Sequence, residues 1–357
     1  VKMKKPKLSK LIPKRRAKRN QSAEAPSSGD SVQAITNETV AAHREEVLSS
    51  ARKYIYPLQH SKHKIVLIST ALFITALVSF FIYCALSLYR FKSNSSFLYG
   101  VTQVVSFPVA RAGSHFVAYE NYLFELRHYI HYYELQQKVD FTTLEGKQQL
   151  AEYKKRALQK VVDDAYIKQL AAKYKVSVSS KELNDQISLV RSQNRLGANE
   201  KGFEDVLRDN FGWSVDDFKR SLRQEMLAQK VVSVLDTDTQ NRAIAALGEL
   251  QSGVSFADVA KKYSDDPTTK DNGGEFGALI DKTNRDLAAQ ITDALFKLQP
   301  GQTSTIINTG YSLEIVKNLE IQGDKIRGTH IALSFKGINT YLNDFKDKHK
   351  ARLFIKP

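Results

Sequence analysis

The stretch YSDDPTTKDNGGEFGALI, residues 263–280, gathers paired acids, a proline, adjacent glycines and a phenylalanine in 18 residues. Three chemistries suit such a set: a solvated turn, a cation loop, or the lip of an active site. Asp265, Asp266, Asp271 and Asn272 offer the oxygen ligands that Ca²⁺ prefers. A calcium loop of EF-hand type, however, needs acids at positions 1, 3 and 5, Gly at 6 and Glu at 12, and that spacing is absent. Asp266 before Pro267 is a turn-forming pair, so a turn and an active-site lip stay open together.

The other reactive side chains narrow the field. Cys84 is the only cysteine and lies within an apolar run, so the rest of the chain must hold together by its core rather than by disulfides. His115, His128 and His131 stand among aromatics with no second ligand cluster, which is a packing environment. Residues 113–235 contain neither a nucleophile–base pair nor a phosphate-binding loop, and by themselves read as an interaction module. No metal and no cofactor is expected.

The chain of 357 residues has room for about two globular domains. Its formal charge of +15 is uneven: the first 64 residues hold 15 of the 53 Lys and Arg but only 5 of the 38 Asp and Glu. A nucleic-acid role is not expected, because this basic tail lacks interleaved aromatics. The next segment explains it better. Residues 65–89, IVLISTALFITALVSFFIYCALSLY, run for 25 residues without a charge, and about 20 apolar residues cross a bilayer as a helix. A buried core helix rarely runs so long uncharged. A cleaved signal peptide has a shorter apolar region and a small-residue cleavage site, so a single-pass anchor is expected. Lys53, Lys62 and Lys64, with the cluster from Lys2 to Arg19, precede the span, against Arg90 and Lys92 after it. The positive-inside rule puts the N-terminus in the cytoplasm and the chain from about residue 90 outside the cell membrane. The basic tail can also contact anionic lipid.

Residues 1–35 are expected to be disordered and residues 37–56 to form a short helix. Beyond the span, residues 97–112 read as extended. Residues 114–137 read as an aromatic helix with Phe116, Tyr119, Leu123, Leu126, Ile130 and Tyr133 on its buried face and Tyr122, Tyr129 and Tyr132 at the rim. A long helix follows over residues 144–174, then capping boxes at Ser179/Glu182 and Ser214/Asp217.

RALQKVVDDAYIKQLAAKYKVSVSSKELNDQI and FEDVLRDNFGWSVDDFKRSLRQEMLAQKVV resemble the helical chaperone domain of SurA-type and PrsA-type exported foldases over about 120 residues. The shared pattern is a long helix ending in an A-x-K-x-x-V-x-V-[ST]-x-x-E-L step, then a G-[WL]-S-x-x-D-F-[KR] helix start.

After Asp236 the texture changes to two helices, residues 263–280, a third helix, and strands TIINT and YSLEIVKNLEI divided by Gly310. FADVAKKYSDDP, GGEFG, ALFKLQPGQTS and GYSLEIV, in this order and spacing, resemble the parvulin (PpiC, rotamase) family of peptidyl-prolyl cis-trans isomerases. There the last motif reads G-Y-H-I-[IV]-x-V. The resemblance implies a proline pocket from Phe276, Leu287, Ile291 and Leu279, and polar catalytic residues Asp266, His330 and Ser312. Asp266 also has a plain reading as a turn residue, and Gly273, Gly274 and Gly277 have structural roles.

Two departures stand out. Ser312 occupies the family's histidine position in GYHII. The family's opening strand, [RK]-x-x-H-I-L-[IV], does not precede Gln240 but follows the last strand, as KIRGTHIALSF with His330. First and last strands are antiparallel neighbours in the family, so a hairpin with Gly323 in its turn can join them. This implies a circularly permuted domain. The rival, a decayed domain followed by a truncated second copy, is disfavoured because only 22 residues remain.

The expected fold class is α+β multidomain. A basic tail (1–64) and one transmembrane helix (65–89) lead to a helical SurA/PrsA-like chaperone domain (96–235). A parvulin-like domain (236–357) follows, with a four-stranded antiparallel sheet and its first strand last. The expected function is a membrane-anchored extracytoplasmic foldase that binds unfolded, proline-containing exported polypeptides and isomerises their X-Pro bonds. A non-catalytic chaperone or envelope scaffold is the alternative, kept open by Ser312.

Overall fold

The computed structural model describes residues 36–55, 58–192 and 199–356. The expected disorder of residues 1–35 and the basic cluster within them fall outside these. The chain divides into two compact units, residues 1–77 and 78–357.

The first unit holds α1 (Asn37–Ile55) and the beginning of α2 (Leu58–Ala85). Among the described residues one helix, Lys64–Arg90, is long and apolar enough to cross a bilayer, with a mean hydropathy of 2.6. Its last turn, Leu86–Arg90, widens to π-helical geometry.

The second unit is built on a helical body. The extended segment expected over residues 97–112 is helical in its first half: α3 (Ser96–Val104) starts where Ser95 Oγ accepts the Leu98 amide. Burial of Leu98 and Thr102 outweighs the β-propensity of the valines there. Strands β1 (Pro108–Ala112) and β2 (His115–Ala118) then pair antiparallel, and α4 begins only at Tyr119, running to Gln136. Phe116 therefore lies on a strand and is exposed rather than on the buried helix face. Tyr122, expected at a rim, is fully buried, since α4 packs on α3, β1, β2 and the long α5 (Leu144–Lys173).

Both capping boxes form. Ser179 and Glu182 exchange hydrogen bonds of 2.8 and 3.2 Å before α6 (Ser180–Ser192). Ser214 and Asp217 do so, at 3.0 and 3.2 Å, before α8 (Val215–Leu235), which follows the short α7 (Glu200–Val206). Each box closes two backbone amides that a helix start leaves unpaired.

Residues 237–334 form a second layer structure. It comprises α9 (Thr237–Gln251), α10 (Phe256–Tyr263), α11 (Ala289–Lys297), β3 (Ile307–Asn308), β4 (Ser312–Gln322) and β5 (Lys325–Ser334). The sheet order is β3-β4-β5, all antiparallel, with Ile315 opposite Ile331 and Val316 opposite His330. Gly323 makes the hairpin turn at φ 63°. Where four strands are expected, three form; residues 274–280 instead bridge the free edge of β5, at Glu275–Thr329 and Ile280–Ile326. The strand period of two sends Leu313 and Ile315 toward Ala243, Ala246, Phe256 and Val259 of α9 and α10. It sends Val316 to the other face, with Ile280, Ile291 and Leu295.

The last residues need a correction. Residues 236–357 are expected to form one domain, but α12 (Ile338–Lys348) and β6 (Arg352–Leu353) pack on the helical body. Leu342 and Ile355 join its core, and β6 pairs with β1 through Ala110–Leu353 and Arg111–Arg352. Lys346 bonds Asp163 on α5 at 2.8 Å. The layer structure is thus an insertion between α8 and α12. An amphipathic helix of 11 residues has no core of its own and docks where an apolar face is left uncovered.

Candidate active site

Asp266 sits just after α10, where the chain turns. Its Oδ1 accepts the Thr268 amide (3.0 Å) and Thr268 Oγ1 (2.7 Å), an Asx turn that fixes the carboxylate. Its Oδ2 accepts Thr269 Oγ1 (2.6 Å) and lies 3.1 Å from His330 Nε2, 64 residues on. Burial would raise its pKa, but the hydrogen bonds from Thr269, Thr268 and His330 hold it well below the usual carboxylate range.

His330 reaches this point because β5 carries it against the 274–280 segment. Its own amide donates to Gly274 O (2.8 Å), and the Phe276 amide donates to Gly328 O (3.2 Å). Gly274 has φ 80°, and a Cβ there would lie 2.2 Å from His330 O. Only glycine allows this approach. The imidazole stacks on Phe276 with ring centres 4.4 Å apart and planes 29° apart.

The other ring nitrogen, Nδ1, lies 3.0 Å from Glu314 Oε2 on β4. Glu314 is 5% exposed, and its Oε1 accepts Ser312 Oγ at 2.7 Å. Ser312 in turn meets Thr309 Oγ1 at 2.9 Å. One chain of contacts therefore runs Ser312–Glu314–His330–Asp266, with Thr269 Oγ1 3.0 Å from His330 Nε2. Burial would lower the His330 pKa, yet the hydrogen bonds and charges of Glu314 and Asp266 raise it.

The structure thus brings Asp266 and His330 into contact and reaches Ser312 only through Glu314. Phe276, Leu287 and Ile291 share one apolar cluster with Val316 and Leu295, Ile291 being part of its buried core. Leu279 stands apart, 40% exposed. Glu314 and Thr269 were not singled out in the sequence. A charged residue on the same strand face as Ser312 and Val316, within the apolar SLEIV, is the signal that points to Glu314.

A second concavity, about 590 Å³, opens on the helical body between α4, α5 and α8. Phe116, Phe124, Val161, Leu227 and Phe345 supply its apolar wall. Arg220 crosses it, bonded to both Glu120 oxygens (2.6 and 2.9 Å) with its guanidinium 4.3 Å over the Phe124 ring. His128 stacks on Trp213 at 4.3 Å, a packing role.

Residues 58–232 match the family described as SurA-like N-terminal domain, and residues 228–320 match the PPIC-type PPIASE domain. The second match ends before β5. The chain is 28% identical over 208 residues to foldase protein PrsA 1 of Lactiplantibacillus plantarum, covering 50% of this chain and 67% of that protein. It is 27% identical over 223 residues to foldase protein PrsA of Caldanaerobacter subterraneus subsp. tengcongensis, covering 57% and 68%. To chaperone SurA of Methylobacillus flagellatus it is 26% identical over 215 residues, covering 47% and 48%. The aligned regions span from about half to about two thirds of these relatives' lengths. In order along its sequence, the chain carries a SurA-like N-terminal domain and a PPIC-type peptidyl-prolyl isomerase domain, and it is a relative of the PrsA foldases and SurA chaperones.

Proposed function

We propose that this protein is a membrane-anchored extracytoplasmic foldase that binds unfolded exported polypeptides and catalyses cis/trans exchange at their X-Pro bonds. The observation that carries this reading is the contact of His330 with Asp266 at 3.1 Å, the ring stacked on Phe276, with Asp266 and Phe276 inside the stretch of residues 228–320 that matches the PPIC type. No covalent bond to substrate is required. The barrier to rotation, about 18–20 kcal/mol, is amide resonance, which places negative charge on the carbonyl oxygen. A fixed carboxylate beside that oxygen opposes the charge and favours the twisted, unconjugated amide. Asp266 is ionised and rigidly held, Phe276 and Leu287 offer an apolar surface to the proline ring, and His330 keeps Asp266 in place.

The isomerase domain, residues 236–335 in this reading, is circularly permuted. Support comes from its two ends: Thr239 Oγ1 at the start of α9 lies 3.4 Å from Ser334 O at the end of β5. A short loop there, with the Gly323 hairpin opened, would restore the family's strand order. The helical domain, residues 96–235 completed by 338–356, is the chaperone part, with the cleft beside Phe116 as its client surface. The helix over residues 65–89 is its anchor, the N-terminal tail lies in the cytoplasm beside anionic lipid, and the folded domains lie outside.

The test is a proline-isomerisation assay on the full chain in detergent, with Asp266→Ala and His330→Ala beside wild type. Catalysis by wild type that both substitutions reduce supports the enzyme. Wild type that suppresses aggregation without catalysing exchange refutes it. That result would favour the second reading, a peptide-gripping chaperone or scaffold, for which the four hydrogen bonds occupying Asp266 are the supporting observation.

A further inference from the structure

Glu314 is the residue in the isomerase-like domain whose presence most needs a cause. A carboxylate this deeply buried costs several kcal/mol unless it is paired and hydrogen-bonded. An apolar residue there would pack against Val316 and its neighbours at no such cost. Among the described residues no Lys or Arg pairs with it: its partners are the Ser312 hydroxyl and the His330 ring.

His330 is flanked on both sides. Glu314 Oε2 lies 3.0 Å from Nδ1, and Asp266 Oδ2 lies 3.1 Å from Nε2. A neutral imidazole has one N–H and one lone pair. It would therefore turn a lone pair toward one carboxylate: toward Glu314 Oε2, buried and bonded here to the ring, or toward Asp266 Oδ2, where two lone pairs would face each other across 3.1 Å with the Thr269 hydroxyl as the oxygen's remaining donor. A doubly protonated ring donates to both and neutralises part of their charge. Thr269 Oγ1 donates to Asp266 at 2.6 Å and so accepts from the ring rather than donating to it.

We propose that Glu314 is a positioning residue that acts through His330, holding the ring doubly protonated and stacked on Phe276 so that it anchors the Asp266 carboxylate. Ser312, standing where the family pattern has histidine, donates to Glu314 and orients it. In this chain a serine and a glutamate together do from β4 what a second imidazole would do there. Both N–H groups of His330 are taken up within the site, Nδ1–H by Glu314 and Nε2–H by Asp266 with Thr269 Oγ1 beside it, so the ring does not donate to a substrate carbonyl; it sets the shape and charge of the site.

The charged groups facing the ring are Glu314 from β4 and Asp266 from the turn after α10. Thr269 and Phe276 are its uncharged neighbours. Glu275 and Arg327, near on the same edge, pair with one another at 2.9 Å.

The proposal rests on the isomerase reading only for its effect on catalysis, and the test separates the two. The full chain, labelled in its histidine rings and held in detergent, is titrated by nuclear magnetic resonance, with His330→Gln identifying the signal. Wild-type His330 should keep both protons well past neutral pH. Glu314→Gln, which keeps the shape and removes the charge, should lower the His330 midpoint by about one unit or more. Glu314→Asp should recover part of that shift. Isomerase activity should be level through neutral pH in wild type and fall with rising pH in Glu314→Gln. An unchanged midpoint in Glu314→Gln, or a neutral ring in wild type at pH 7, overturns the proposal. A wild type without isomerase activity but with the shifted ring upholds it and removes the isomerase reading instead.

Discussion

The Lys336 amide donates to the Asp236 carboxylate across 2.8 Å, joining two points separated by 100 residues of chain. The same carboxylate caps α9 by accepting the Thr239 amide (3.2 Å) and hydroxyl (3.0 Å). Asp236 is 1% exposed. One side chain therefore starts the inserted layer structure and clasps its exit, so the segment leaves and re-enters the helical body at one place.

Replacing Asp236 by Ala should lower unfolding free energy by about 2–3 kcal/mol, from a lost cap and an unpaired buried amide. Asp236→Asn, which still caps, should lose less. Burial would raise the Asp236 pKa, but hydrogen bonds from Lys336 and Thr239 depress it. A depressed folded-state pKa contributes stability above the unfolded value of about 3.9 and loses it as pH falls through the folded one. The wild-type advantage over Asp236→Ala in urea unfolding should therefore shrink below about pH 4.

Gly274 and Gly277 offer a paired test of how the loop meets β5. Both have positive φ, 80° and 76°. A Cβ at Gly274 collides with His330 O, whereas one at Gly277 meets nothing within 4 Å. Gly277→Ala should cost about 1–2 kcal/mol for conformation alone. Gly274→Ala should cost more and reduce activity too. Equal thermal shifts in the two variants would mean that the close approach carries no energy.

His330 has a raised folded-state pKa, so its contribution to stability runs opposite to that of Asp236. It is fully present below the unfolded value of about 6.5 and is lost as pH rises through the folded value. Urea midpoints should decline on the alkaline side, and His330→Gln should flatten that part of the profile.

Catalysis should separate into charge and grip. Losing one positioned charge or hydrogen bond, as in Asp266→Ala, should lower kcat/KM roughly tenfold or more. Thr269→Val, which removes a bridge between Asp266 and His330, should do less. Phe276→Ala should act mainly on KM, since it removes apolar surface that substrate and transition state share.

Phe116, exposed on the wall of the helical-body cleft, tests the chaperone surface. Phe116→Ser should weaken binding of an unfolded client by about 1–2 kcal/mol, roughly tenfold, with isomerase activity on a short peptide unchanged. Equal loss of both would place the client surface elsewhere.

Much of the candidate site is local enough to read from residue order. The turn at Asp266, the paired glycines and the apolar Phe276 follow from neighbours a few positions away. The pairing of β4 with β5 is legible through the family resemblance, which makes the two strands neighbours, and through the turn glycine Gly323. Glu314 was missed because its meaning depends on the residue across the strand. Leu279, which the family resemblance adds to the proline pocket, is 40% exposed and lies outside the apolar cluster of Phe276, Leu287 and Ile291.

From its order alone this chain determines its long uncharged helix, its capping boxes, its glycine turns and the alternation that gives β4 two faces. Each depends on contacts within about one turn or on the strand period, so the residues that decide it are adjacent in sequence. The tertiary structure alone decided that residues 96–104 are helical, that Tyr122 is buried, that α12 and β6 return to the helical body, and that Glu314 faces His330. Those outcomes rest on which apolar faces are left uncovered and which buried charges find partners. Both are settled by surfaces that meet only once the chain has folded.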